Sequence, residues 1–371
     1  MKTVYRSITL AAALCAAAAG VALAQGTGTP GEILPTPEEP PTRQGTRGAN
    51  FLQIGVGARL SGMSGAGVTL VDGADAWYWN PANAAGIERF SANATRHELY
   101  NDLDISMNYG GLALPALGGV VGLSFTSLNS GDIPRSTEDN PYGDPTLGET
   151  FEFTATAASL NYARRLTDRL DVGGGVKYIT EGLTDAKTNW VAFDVGTQFR
   201  TGIFGLTLAA ALQNIGPDGS ASGELVRRNI NTDQAFPENT PILLQTEDTD
   251  LPINFRFSLG SELIGSPTAI LGQGGNRHRL NAEAAFSDAI DTDLQFALGA
   301  EYSFANVAFI RGGKRFYNDD RAQGDNKGLY GLSGGLGVRL PVGGRGLRFD
   351  YAYTSVGELE NVQVFSFELG R

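Results

Sequence analysis

The sequence predicts an all-β fold: an exported, closed antiparallel β-barrel of about fourteen strands with a partly helical N-terminal segment. Three observations carry this. The chain opens on an export leader, most of it alternates apolar and polar residues with period 2, and no later apolar run nears the ~18 residues of a membrane helix.

In residues 1–24, Lys2 and Arg6 form a basic start and Ile8 to Ala19 an apolar run too short to span a bilayer. Ala22-Leu23-Ala24 is a small-x-small cleavage site, so cleavage is expected after Ala24. Cleavage removes the lone cysteine, Cys15, and takes the formal charge from −12 to −14. Residues 25–48 are rich in Pro and Thr and read as a flexible linker. Residues 49–85 are dense in Gly and Ala and end on the Asn80-Pro81 turn signal. They read as a compact hatch inside or beside the barrel, which occupies 86–371.

The clearest strand is 293–304. Leu294, Phe296, Leu298, Ala300, Tyr302 and Phe304 alternate there with Asp293, Gln295, Ala297, Gly299, Glu301 and Ser303. Fourteen such segments are expected: 87–96, 104–113, 119–128, 151–165, 170–181, 188–200, 205–213, 252–263, 278–286, 293–304, 306–313, 328–340, 346–354 and 361–369. Their usual length, 9–13 residues, suits a tilted membrane-crossing strand rather than the ~5–6 of soluble sheets. Short turns near 115–118, 166–169, 201–204, 305 and 341–345 alternate with long loops at 129–150, 214–251 and 314–327. Outer-membrane barrels sort short and long connections to opposite ends in this way. Only 264–277 is long on the turn side. A propeller would show a repeat of ~40–50 residues, which is missing; a soluble sandwich rarely needs so many long strands.

On this reading Asp194, Arg200, Arg256, Glu301, Arg339, Arg348 and Asp350 face the lumen, because such charges are costly against lipid. His97 and His278 read as surface residues. Together with the cysteine count they leave no local zinc set, and no catalytic residue, metal or cofactor is expected. Gly272–Gly275 lacks the Gly-Lys-Ser/Thr end of a phosphate loop, and no Gly-x-Ser-x-Gly elbow occurs. The acidic stretches Glu247, Asp248, Asp250 and Asp319, Asp320, Asp325 lack calcium-loop order and read as solvated. The negative charge argues against a nucleic-acid partner.

Within the hatch, Gly57-Ala58-Arg59, Met63, Gly65-Ala66, Asp75-Ala76 and Trp79-Asn80-Pro81-Ala82 resemble the PorV/PorQ family of outer-membrane proteins, related to FadL-type transporters. The resemblance implies a FadL-like fourteen-stranded barrel with a hatch. For PorV it implies type IX protein secretion, with secreted cargo and secretion-machine subunits as partners and outer-membrane lipid as surroundings. The block is shared by family members of differing role. The family favours a C-terminal aromatic residue, whereas this chain ends Phe367-Glu368-Leu369-Gly370-Arg371. The main expectation is a non-enzymatic barrel that hands on secreted proteins. The alternative is a FadL-like passage for small hydrophobic molecules, with an apolar pocket beside the hatch.

Overall fold

Alternation with period 2 becomes a wall with two chemically different faces. The computed structural model describes residues 45–370 except 101–102, 137–140, 142–149, 184–185, 224–226, 231–239, 244–247, 273–276, 293, 318–328, 344 and 358–360. The leader 1–24, most of the linker, and Asp319, Asp320 and Asp325 lie outside the described residues.

Fourteen strands form the wall: β1 Ser91–Leu99, β2 Ile105–Ala116, β3 Gly119–Asn129, β4 Phe153–Arg165, β5 Leu170–Leu183, β6 Ala186–Arg200, β7 Leu206–Ile215, β8 Asn254–Ile264, β9 His278–Ala289, β10 Gln295–Phe304, β11 Ala308–Phe316, β12 Leu332–Val342, β13 Arg345–Ser355 and β14 Asn361–Gly370. Each pairs antiparallel with its sequence neighbours, and β1 closes the ring on β14 through the register Ala92↔Leu369 to Leu99↔Val362. Closure leaves no open edge among these strands, as lipid requires. Leu117 and Gly118, both at positive φ (56° and 72°), make the two-residue turn that joins β2 to β3.

The outward set on β6 is Val191, Phe193, Val195 and Phe199, all exposed; Trp190, Ala192, Asp194 and Gln198 are buried. The same division runs around the wall and gives the apolar belt a bilayer covers. β1 departs from it: Arg96 and Glu98 face outward, 3.6 Å apart.

Residues 47–86 cross the lumen. Arg47 pairs with Asp250 at 2.9 Å, and Ala49 N donates to Glu181 Oε2 at 2.7 Å, both at the long-loop end. Arg47 and Gly48, compositionally linker, are thus fixed to the barrel. The chain then descends through two short α-helices, α1 Ala58–Ser61 and α2 Ala76–Trp79, with 3-10 turns at Asn50–Gln53, Val68–Leu70 and Pro81–Gly86. It leaves at the turn end, where β1 begins. Because the last 3-10 turn runs to Gly86, β1 starts at Ser91, four residues beyond the expected start.

The lumen has two chemical halves. Toward β2–β7 the hatch residues Trp77, Tyr78 and Trp79 join a buried apolar cluster with Met107, Tyr109, Val120, Ile179 and Trp190. Toward β10–β14 the hatch packs through small residues and Met63 and is held by ion pairs from Arg59.

Candidate functional site

The hatch–wall contact begins with small residues. Gly57, at φ 84°, sets the start of α1 so that Ala58 N donates to Ser366 Oγ of β14 at 2.7 Å. Met63 is fully buried against Gly299 and Gly313. Gly65, also at φ 84°, lies under the Arg315 guanidinium, which donates through Nη2 to Ser64 O at 2.9 Å. Trp77 Nε1 donates to Leu112 O at 2.9 Å, and its ring covers Gly122. Trp79 Nε1 donates to Val56 O at 2.8 Å. Asn80 caps the final 3-10 turn by accepting from Ala82 N at 3.1 Å, with Pro81 at its first position. Its Nδ2 donates to Thr197 O of β6 at 2.9 Å.

Arg59 is the ionic anchor. Its Nη2 and Nε meet the two Glu301 oxygens at 2.8 and 2.9 Å, and Nη1 reaches Asp72 at 2.9 Å. Glu301 also accepts from Arg311 Nε at 2.6 Å. Arg311 Nη1 continues to Asp350 at 2.6 Å, Asp350 to Arg348 Nε at 2.8 Å, and Arg348 to Glu368. Four strands, β10, β11, β13 and β14, thereby hold one hatch cation. Fork-to-fork pairing of this kind fixes orientation as well as charge. Asp75 is buried beside this chain; burial and then the Glu368 carboxylate push its carboxyl up to about 7.

The lumenal charges do not form one network. Asp194 pairs with Lys177 at 2.9 Å, and Arg200 with Asp171. Arg339 turns toward the short-turn end, donating to Asn306 Oδ1 at 3.1 Å. Arg256 lies over the Trp79 ring, 4.6 Å from its centre, and among the described residues makes no ion pair within 4.0 Å. Sequence reading missed Arg311 and Glu368, although both occupy the polar phase of their alternations. His97 corrects an expectation: it points inward and is 1% exposed, because β1 turns its odd-numbered residues to the lumen. His278 is exposed, with Nδ1 2.7 Å from Tyr302 Oη. Among the described residues no group of His, Cys, Asp and Glu could hold a metal.

Cavities lie on both sides of the plug. At the turn end two polar cavities of about 790 and 700 Å³ share Arg59, Asp72, Arg279 and Asn281, so the ionic anchor is reached from that end. At the loop end a cavity of about 240 Å³ is lined by Ile54, Trp79, Leu99, Tyr100, Tyr317 and Val364, with His97 and Ser333 among its polar residues. A smaller space of about 70 Å³ adjoins it and holds Arg256 and Arg315.

No protein-family model and no curated protein matches this sequence, so the likeness to PorV/PorQ has no sequence family behind it. Solved structures match at fold level. The toluene transporter TbuX of Ralstonia pickettii superimposes with a TM-score of 0.51 at 12% identity, over 85% of this chain and 97% of that one. The toluene transporter TodX of Pseudomonas putida gives 0.51 at 10%, over 85% and 96%. The chain is an outer-membrane β-barrel of fourteen antiparallel strands, with the fold of these transporters and its lumen crossed by an ion-paired hatch.

Proposed function

We propose that this barrel passes small hydrophobic molecules across the outer membrane, with the hatch as its gate and without covalent chemistry or a cofactor. The carrying observation is the 240 Å³ cavity against the hatch, lined by Ile54, Trp79, Leu99, Tyr100, Tyr317 and Val364 on the loop side. The polar spaces below the plug give a released molecule somewhere to go. The two neighbours are toluene transporters by name, and their fold agrees with this reading. The ion-paired side of the hatch is the side that opens on this reading, because the polar turn-end cavities already reach Arg59 and Asp72, whereas opening the aromatic side would expose apolar surface.

Uptake of labelled toluene by cells carrying the chain in the outer membrane tests this against empty-vector cells. Faster uptake is expected, and Val364→Trp, which fills the cavity, returns it toward the empty-vector rate. Glu301→Gln, which unlocks Arg59, raises ion conductance in a planar bilayer. Uptake no faster than in empty-vector cells overturns the reading. Co-purification with secreted proteins and secretion subunits would then favour the protein-handover role.

A further inference from the structure

Arg256 is 7% exposed, projects inward from β8, and has two buried N–H edges, at Nε and Nη1, without a partner among the described residues. Its remaining contacts are a 3.3 Å hydrogen bond from Nη2 to Tyr78 Oη and the Trp79 and Tyr78 ring faces, 4.6 and 5.1 Å away. A ring face compensates the flat side of a guanidinium and leaves its edges unmade. A buried guanidinium edge that meets neither water nor an acceptor is costly, and a carboxylate is the group that fits it best.

The 70 Å³ space around it adds a second cation, Arg315, and no carboxylate. Nearby acids are engaged elsewhere: Asp291 accepts from Gln53 Nε2 at 2.9 Å, and Glu283 accepts from Thr69 N at 3.0 Å. Asn254 accepts from Ser287 through Oδ1, which leaves its amide N–H groups to donate. The space is therefore rich in donors, positive, and large enough for one compact polar group. It shares Gln53, Ser64, Gly65, Trp79 and Arg315 with the mostly apolar cavity of 240 Å³. That volume suits a single ring rather than a long chain.

We infer that the two spaces are one binding site for a small aromatic carboxylate, its acidic group on Arg256 beside Arg315 and its ring against Trp79. This rests on the passage reading and narrows its substrate class from neutral hydrocarbons to small organic acids. Arg256 supplies the missing charge complement, and Trp79, between the two spaces, contacts both parts of the ligand.

Calorimetry on the detergent-purified full chain, with benzoate and the neutral ring benzyl alcohol as probes, tests this. Wild type is expected to bind benzoate about ten-fold or more tighter, as one charge-assisted contact allows. Arg256→Gln removes that preference, while Arg256→Lys keeps part of it. Heat-modifiable gel mobility checks that each variant is folded, and the wild-type ratio of the two affinities needs no variant. Equal binding of the two probes, or benzoate binding indifferent to Arg256→Gln, overturns the proposal but leaves the passage reading standing. Binding of neither probe overturns both.

Discussion

Asp75 is a buried acid with one carboxylate oxygen unpartnered, set against a second acid, Glu368. An aspartate in an unfolded chain titrates near 3.8, and here near 7. Between those values the native state holds a proton that the unfolded chain has released. The stabilising contribution of Asp75 is therefore complete below about pH 4, falls as pH rises toward 7, and is flat above. Asp75→Asn should flatten the decline of the thermal midpoint between pH 4 and 7 and raise the midpoint at pH 8. Melting curves of both proteins at pH 4, 6 and 8 check this, and parallel curves would contradict it. Arg59 and Glu301 show the same dependence on remote partners: 242 positions separate them in the chain. Arg59 stood out in its motif and Glu301 in its strand, yet nothing in either segment paired them.

At the scale of elements, the hatch and the wall meet through absent side chains. A Cβ on Gly313 would lie 2.3 Å from the Met63 carbonyl carbon, inside any tolerable contact, so β11 and the hatch must separate to admit one. Gly334 on β12 faces outward, and a Cβ there meets nothing closer than 3.9 Å. Gly313→Ala should cost about 1–3 kcal/mol, the usual range for overpacking, while Gly334→Ala should be near neutral; thermal midpoints of the two variants compare them directly. The strands themselves were legible because inward and outward residues meet different solvents. The expected 104–113, 170–181 and 361–369 became Ile105–Ala116, Leu170–Leu183 and Asn361–Gly370. The short strand pair Arg227–Ile230 and Thr240–Leu243 inside the expected loop 214–251 went unforeseen, because neither four-residue segment alternates apolar and polar residues.

For the whole molecule, the direction in which the hatch crosses the lumen has a consequence for topology. Thr46 is exposed at the long-loop end, next to the Arg47–Asp250 pair, whereas Asp168 sits in the short turn between β4 and β5. Long loops of outer-membrane barrels face the exterior. Thr46→Cys should therefore react with a membrane-impermeant maleimide on intact cells, and Asp168→Cys only after the outer membrane is permeabilised. The reverse pattern would invert the barrel. The lumen is two-sided, with an aromatic cluster toward β2–β7 and an ion-pair chain toward β10–β14.

The sequence by itself determined the strand count, the alternation that assigns most wall residues to lipid or lumen, and the Gly/Ala-rich segment between leader and wall. These are local properties: period, length and turn chemistry act within a dozen residues. Only the tertiary structure decided which charges meet. It gathered Arg59, Glu301, Arg311, Asp350, Arg348 and Glu368 into one chain, sent Asp194 and Arg200 to separate partners, and set Arg256 over Trp79 without an ion pair among the described residues. Closing a barrel brings strands far apart in sequence to one axis, and a hatch threaded along that axis selects its partners by position in space.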